Sequence, residues 1–243
     1  RNEGHRQRMS ATYDYIIIGA GSAGCVLANR LSAERNVRVL LLEAGGTDRT
    51  PLIKVPVGFQ KLLSHPRLNW CFETEPDANL GGRRIPIPRG KALGGSSSIN
   101  GMLYVRGQQL DYDTWAQLGN RGWSFADVLP FFKRAESFER GGDELRGDTG
   151  PLNVVDMYER HEMVDAFIQA GTACGYPDNP DYNGAQQDGF GYYQVTQRDG
   201  RRESAADAYL HPVKNRANLD IQVEAHVERL ELEANVANGV VYR

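Results

Sequence analysis

The apolar residues Tyr15, Ile16, Ile17 and Ile18 run into the glycine-rich turn Gly19-Ala20-Gly21-Ser22-Ala23-Gly24. A helix-compatible segment follows with Ala28 and Leu31 on one face, and the apolar residues of 37–42 end in Glu43. This order predicts strand, turn, helix, strand. Between 46 and 64, Pro51 and Pro56 argue against a long regular helix. The apolar Leu52, Ile53, Val55, Val57, Phe59, Leu62 and Leu63 there suit an extended segment over a ligand or subunit contact or, more plainly, core packing. Residues 69–75 alternate as a short strand, and 79–83 read as a hairpin turn. Residues 85–88 are extended, because Pro86 and Pro88 push their predecessors out of the helical region.

Farther along, Ser124 is placed to cap a helix carrying Val128, Leu129, Phe131 and Phe132, bent or interrupted by Pro130. Residues 141–151 are a loop-rich boundary, and Val154 and Val155 suit a strand. Residues 162–170 have helical spacing, closed by Gly171 or Gly175; 178–184 are a turn-rich loop. Tyr192, Gln194 and Thr196 alternate as in a strand. Residues 201–210 predict a helix ended by Pro212. Residues 218–223 and 227–232 predict strands, and 239–242 the start of a third.

A length of 243 residues allows one or two domains with a real core. The net charge of −3 shows no basic excess for nucleic acid, and no long uncharged apolar run suggests a membrane span. Cys25, Cys71 and Cys174 are too scattered for a disulfide framework or a zinc site, which points to a reducing, cytoplasmic setting. No metal site is expected. Residues 1–12 read as a flexible extension in which Met9 could be a natural start, and the segment lacks the apolar centre of a signal peptide.

Two stretches carry candidate chemistry. In the first turn Gly19 permits the bend, Gly21 leaves room for a pyrophosphate, and Gly24 lets the helix pack closely on the strand. The helix start offers free N–H groups to phosphates. Glu43, nineteen positions after Gly24, can accept from ribose hydroxyls. This is a dinucleotide site, open to NAD or FAD; the plainer alternative is a glycine turn of an unrelated α/β protein. The second stretch, residues 89–102, pairs adjacent glycines with Ser96, Ser97 and Ser98, so backbone and hydroxyls can approach a ligand. A flexible linker is the alternative, but the stretch leads into the apolar, helix-like Met102-Leu103-Tyr104-Val105.

Gly90-Lys91-Ala92-Leu93-Gly94-Gly95-Ser96-Ser97-Ser98-Ile99-Asn100, with Tyr104, Gly107 and Asp113, resembles the first signature of the glucose–methanol–choline (GMC) oxidoreductases. Residues 111–115, 122–124 and 128–133 look like that family's next segments, and the likeness runs from about Tyr13 onward, closest to its choline and alcohol dehydrogenase branch. The resemblance implies an α/β chain: a Rossmann-like FAD-binding domain with part of an α+β substrate domain. It implies an FAD domain over 13–150, substrate domain over 151–200 and a return to the FAD domain over 201–243. It implies pyrophosphate contacts from Gly19, Gly21, Ser22, Ala23 and Gly24, and ribose contacts from Glu43 beside Ala44. Gly94, Gly95, Asn100, Gly101, Met102 and Leu103 belong to the flavin and ribityl-phosphate side and Val227 to the adenine, with Arg89, Gly90 and Leu93 also counted as cofactor-binding. Some members attach FAD through a histidine before the asparagine; Ile99 stands there, which implies non-covalent FAD.

The implied reaction oxidises a primary alcohol to the aldehyde with FAD as acceptor. By the same likeness the catalytic histidine lies in a C-terminal half, expected as a separate or unobserved segment. His5, His65, His161, His211 and His226 are given surface or packing roles, and no residue here is read as catalytic. The alternatives are an inactive FAD-binding fragment, a hydroxynitrile lyase or light-driven fatty-acid decarboxylase of the same fold, and, last, an NAD dehydrogenase. An oligomer is allowed.

Overall fold

The computed structural model describes residues 12–243, so the extension expected over 1–12 lies, but for Thr12, outside the described residues. β1 (Tyr15–Ile18), α1 (Ser22–Leu31) and β2 (Val39–Leu42) form the expected unit. β1 runs parallel to β2, with Tyr15 opposite Val39 and Ile18 opposite Leu42. Every β2 residue is buried, as the continuous apolar run of a strand covered on both faces requires. Val39 and Leu41 join Cys25 and Ala28 of α1 in one core. Leu40 and Leu42 face the other way, toward Ala225, Val227 and Val240.

Between 51 and 62 the chain is not extended. α2 (Pro51–Lys54), a 3-10 turn and α3 (Phe59–Leu62) follow one another. Pro51 opens α2 beneath Thr50, whose hydroxyl accepts from Leu52 N, at a position where proline's missing N–H costs nothing. The core-packing alternative holds: Ile53 and Leu62 are fully buried in a cluster with Ile99. β3 (Phe72–Glu73) and β4 (Pro86–Ile87) pair antiparallel about the expected turn. The helix-like reading of 102–105 is corrected. Met102 takes a left-handed φ of 63° and Leu103 bridges to Val195, so this apolar stretch is irregular backbone.

α4 (Gln109–Gln117) and α5 (Phe125–Ala135) are adjacent helices. Ser124 caps α5: its Oγ accepts from Asp127 N, and the Asp127 carboxylate accepts from Ser124 N at 3.1 Å. Pro130 lies within α5 without interrupting it; the helix forgoes only the bond a proline cannot donate. β5 (Glu136–Phe138), β6 (Leu152–Asp156) and β7 (Gln194–Val195) make a second three-stranded sheet, β5 parallel to β6 and β7 antiparallel. α6 (Glu162–Ala173) comes between β6 and β7 in sequence. Gly171 is inside α6, and Gly175, at φ 92°, follows its end.

The helix expected over 201–210 is only partly there. β8 (Gln197–Arg198) and β9 (Arg201–Arg202) form a hairpin, and helical turns begin at Ala206 as a π-helical segment, Ala206–Leu210. The Ser204 hydroxyl accepts from Asp207 N at 3.2 Å and so fixes the late start. Pro212 does not stop the chain turning; it sits in the 3-10 turn His211–Val213. β10 (Leu219–Gln222) pairs parallel with the free side of β2, giving the order β1-β2-β10. β11 (Val227–Glu233) and β12 (Val236–Tyr242) close an antiparallel hairpin, so the last strand starts three residues earlier than expected. No described helix is long and apolar enough to cross a membrane.

Candidate functional site

The two glycine-rich stretches meet at the C-terminal end of β1. Gly19 takes φ 93°, open to glycine at low cost, and the chain reverses into α1 with Gly21 at the N-cap. A Cβ on Gly24 would stand 1.9 Å from Gly19 O, so only glycine lets α1 approach this turn. A Cβ on Gly21 would meet no atom of the described residues within 4 Å. The space in front of this bare backbone is open to a ligand. The helix start has no side-chain cap and no acid in its first turn. The first-turn N–H groups, Ser22, Ala23 and Gly24 among them, thus lack intrahelical acceptors and offer an anion the positive end of the helix dipole.

Gly94 N donates to Ala20 O at 2.7 Å and ties the second stretch to the first. Gly95, at φ 54°, lies so close that a Cβ would be 2.7 Å from Gly21 Cα. Glu43 is buried at the end of β2, where its carboxylate accepts from Ala20 N and Gly45 N, each at 2.8 Å. Each oxygen keeps a further lone pair for a ligand hydroxyl. Ala225 N donates to Glu43 O at 2.8 Å and brings the start of β11 to the same place.

These segments enclose a cavity of about 490 Å³. Gly19, Gly21, Ser22, Glu43, Ala44, Arg89, Gly90, Gly95 and Val227, all expected site residues, line it. The other expected residues lie around it. Ala23 and Gly24 sit in the first turn of α1; Leu93 is in the core, and Gly94 lies behind Gly95. Asn100 and Leu103 are exposed, Gly101 is half-buried, and Met102 is buried with Val155 and Val195. The structure therefore gathers nine of the expected residues into the lining of one cavity, and Ala23, Gly24, Leu93, Gly94 and residues 100–103 are not among its lining residues.

Trp70 and His226 also line the cavity and were not anticipated. Their rings meet edge to face with centroids 5.6 Å apart, and Lys91 Nζ lies 4.4 Å from the Trp70 ring centroid. Trp70 N donates to Arg89 O at 2.8 Å, which places the indole beside the second stretch. An aromatic wall of this kind suits a planar heterocycle. Its only local signal was the adjacency of His226 to Val227; the rest comes from pairing residues far apart in sequence.

Of the other histidines, the His65 ring accepts from the N–H groups of Arg67 and Leu68, and His161 caps α6 by accepting from Met163 N at 3.1 Å. His5 lies outside the described residues. His211 joins Asp48 and Asp207, whose ligand atoms and its own lie within 4.8 Å of one another. Lys54 Nζ stands 3.0 Å from Asp48 and 2.6 Å from Asp207. The lysine ammonium supplies the cation, and this is a salt-bridge network. The cysteines are all free, and burial pushes the Cys25 thiol up to about 12, as befits a packing role.

A family model described as GMC oxidoreductase matches residues 13–243. The chain is 47% identical over 236 residues to an oxygen-dependent choline dehydrogenase of Vibrio vulnificus, covering 96% of itself and 42% of that protein. It is 48% identical over 231 residues to an alcohol dehydrogenase [acceptor] of Pseudomonas putida, covering 95% of itself and 42% of that protein. Among solved structures, pyridoxine 4-oxidase from Mesorbium loti superposes with a TM-score of 0.90 at 36% identity, over 95% of this chain and 47% of that one. An FAD-dependent oxidoreductase from Chaetomium thermophilum follows at TM-score 0.87 and 29% identity, over 96% of this chain and 42% of that one. The chain thus spans less than half the length of these relatives.

Proposed function

The chain belongs to the GMC oxidoreductase family, and from that premise we propose that it is the cofactor-holding part of an FAD-dependent oxidoreductase that oxidises a primary alcohol, choline-like or another small aliphatic or aromatic alcohol, to its aldehyde. The observation that carries this reading is the space at Gly21, open to a ligand and walled by the start of α1, Glu43 and Gly95.

FAD, when bound, supplies the redox chemistry. The chain's own residues bind and orient it. The start of α1 faces the pyrophosphate with N–H groups and no competing acid. Glu43 takes ribose hydroxyls on its remaining lone pairs. Val227, with Trp70 and His226 beside it, borders the adenine, and residues 93–103 form the flavin side. Ile99 is 1% exposed, apolar and without a nucleophile, which supports non-covalent attachment. Pairing of β10 with β2 supports a return of 201–243 to 13–150; 151–200 is proposed to belong with the substrate, its sheet extended by β5 from the end of the first part.

We further propose, from the family resemblance, that the residues that take the alcohol's proton lie outside this chain, which covers 42% of its choline dehydrogenase relative, and that turnover belongs to a longer protein. The free cysteines support a reducing, cytoplasmic setting. The test is the spectrum of the purified protein. A flavin band near about 450 nm, released intact on acid denaturation, is expected, with anaerobic bleaching by an alcohol in the full-length enzyme. No flavin, or NAD in its place, overturns the cofactor reading. Flavin that no alcohol bleaches redirects it to the lyase or decarboxylase chemistries.

A further inference from the structure

Arg202 is 2% exposed, yet its hydrogen bonds go to neutral acceptors. Nε donates to Ile53 O at 2.9 Å, and Nη1 to Ser97 O at 3.1 Å and Asn100 Oδ1 at 2.9 Å. Nη2 is buried without a partner among the described residues. Burial draws its pKa down to about 10, so the guanidinium remains a cation at neutral pH. A buried cation without a counter-ion is a costly brace; an apolar side chain of like volume packs without that cost. The neighbouring Ala205 N already braces the same loop by donating to Ser97 Oγ at 2.9 Å. The charge points to a second use.

That use lies in Asn100. Its Oδ1 accepts from Arg202 Nη1 and also from Met102 N at 3.0 Å. Both lone pairs of the amide oxygen are engaged, and a flipped amide would set its hydrogens against two donors. Nδ2 is therefore the free end, on an exposed residue, with no acceptor among the described residues.

We propose that Arg202 is a positioning residue of the FAD site: it holds Asn100 with its amide N–H groups presented to the flavin and sets a fixed cation behind that contact. The inference rests on the FAD reading above. A flavin gains electron density on reduction, so an oriented donor backed by a cation favours the reduced form.

Two substitutions in the flavin-loaded protein decide it. Asn100→Asp keeps an acceptor for Arg202 and Met102 and gives the arginine a counter-ion, but removes the outward donor. The melting temperature without FAD should hold or rise while the FAD dissociation constant increases at least tenfold. Arg202→Gln should move the oxidised–reduced equilibrium at least tenfold toward the oxidised form, a fall of about 30 mV for a two-electron couple. Arg202→Lys, which keeps the charge, should recover most of that fall. If Asn100→Asp binds FAD like the parent, or Arg202→Gln lowers the melting temperature and leaves the potential in place, Arg202 is only a brace and the proposal fails. Should Arg202→Gln not fold, the Asn100→Asp arm decides alone. A parent protein that takes up no FAD overturns the functional reading instead, and is told apart by its missing spectrum.

Discussion

His211 stands between two carboxylates, with Nδ1 3.2 Å from Asp207 and Nε2 3.1 Å from Asp48. The hydrogen bond to Asp207, then that to Asp48, outweighs burial and lifts its pKa to about 9. With the imidazole protonated, His211 and Lys54 balance the two acids. A folded-state pKa raised above the unfolded value gives stability that is complete below about 6.5 and lost as pH rises through about 9. Partial exposure screens the pair, leaving a contribution on the order of 2 kcal/mol. Asp207 works at the other end of the scale. Burial raises its pKa, but hydrogen bonds from His211 and Lys54 pull it well below the usual carboxylate range. Its contribution holds above the unfolded value and disappears as pH falls through the folded one. The melting temperature should thus drop by about 4–8 °C between pH 6.5 and 9. In His211→Gln it should start lower and stay flat over that interval. A parallel decline in parent and variant would remove His211 as the cause. The Asp48 half of this was not legible in sequence, because Asp48 lies 163 positions away from the histidine it pairs with; Asp207 and His211 form an (i,i+4) pair that carried a local signal.

At the level of elements, α6 shows two local rules in opposition. Gly171→Ala improves helix propensity by about 1 kcal/mol. The new Cβ, however, would lie 2.7 Å from the Phe190 ring. Phe167 and Tyr176 each meet that ring edge to face at 5.4 Å, so it has little room to retreat. Overpacking costs about 1–3 kcal/mol, and the crowding should win by about 1 kcal/mol, a loss of about 2–4 °C in melting temperature. A rise on thermal unfolding would mean the ring moves aside. The same opposition explains why Gly171 was read as a possible stop: composition alone cannot tell a helix-ending glycine from one that makes room for a ring. β1, α1 and β2 were legible because one periodicity governs each. Arg201 and Arg202 were misread as helical although a signal was present. Asp199 and Gly200, at φ 51° and 69°, form the two-residue turn that joins β8 to β9, and Asp-Gly is the sequence sign of such a hairpin.

Across the whole molecule, the cavity is built by five segments: the end of β1 with the start of α1, the end of β2, Trp70, residues 89–96 and residues 225–227. The glycines and Glu43 announced their part because each has a local geometric reason. Trp70 and His226 did not, since their meeting depends on the sheet that brings β10 and its following loop beside β2. A ligand bridging segments so far apart in sequence stabilises the fold they share. At a free concentration about 100 times its dissociation constant, FAD should add about 2.7 kcal/mol, raising the melting temperature by about 5–10 °C. NAD at the same concentration should add far less. Gly21→Ala isolates the cause. Its Cβ meets no atom of the described residues within 4 Å, so the ligand-free protein should lose no more than about 1 kcal/mol from the poorer cap. The FAD-dependent rise, in contrast, should largely vanish, because the new methyl occupies the ground proposed for the pyrophosphate. Equal rises with FAD and NAD, or an undiminished FAD rise in Gly21→Ala, would place the cofactor somewhere other than this cavity.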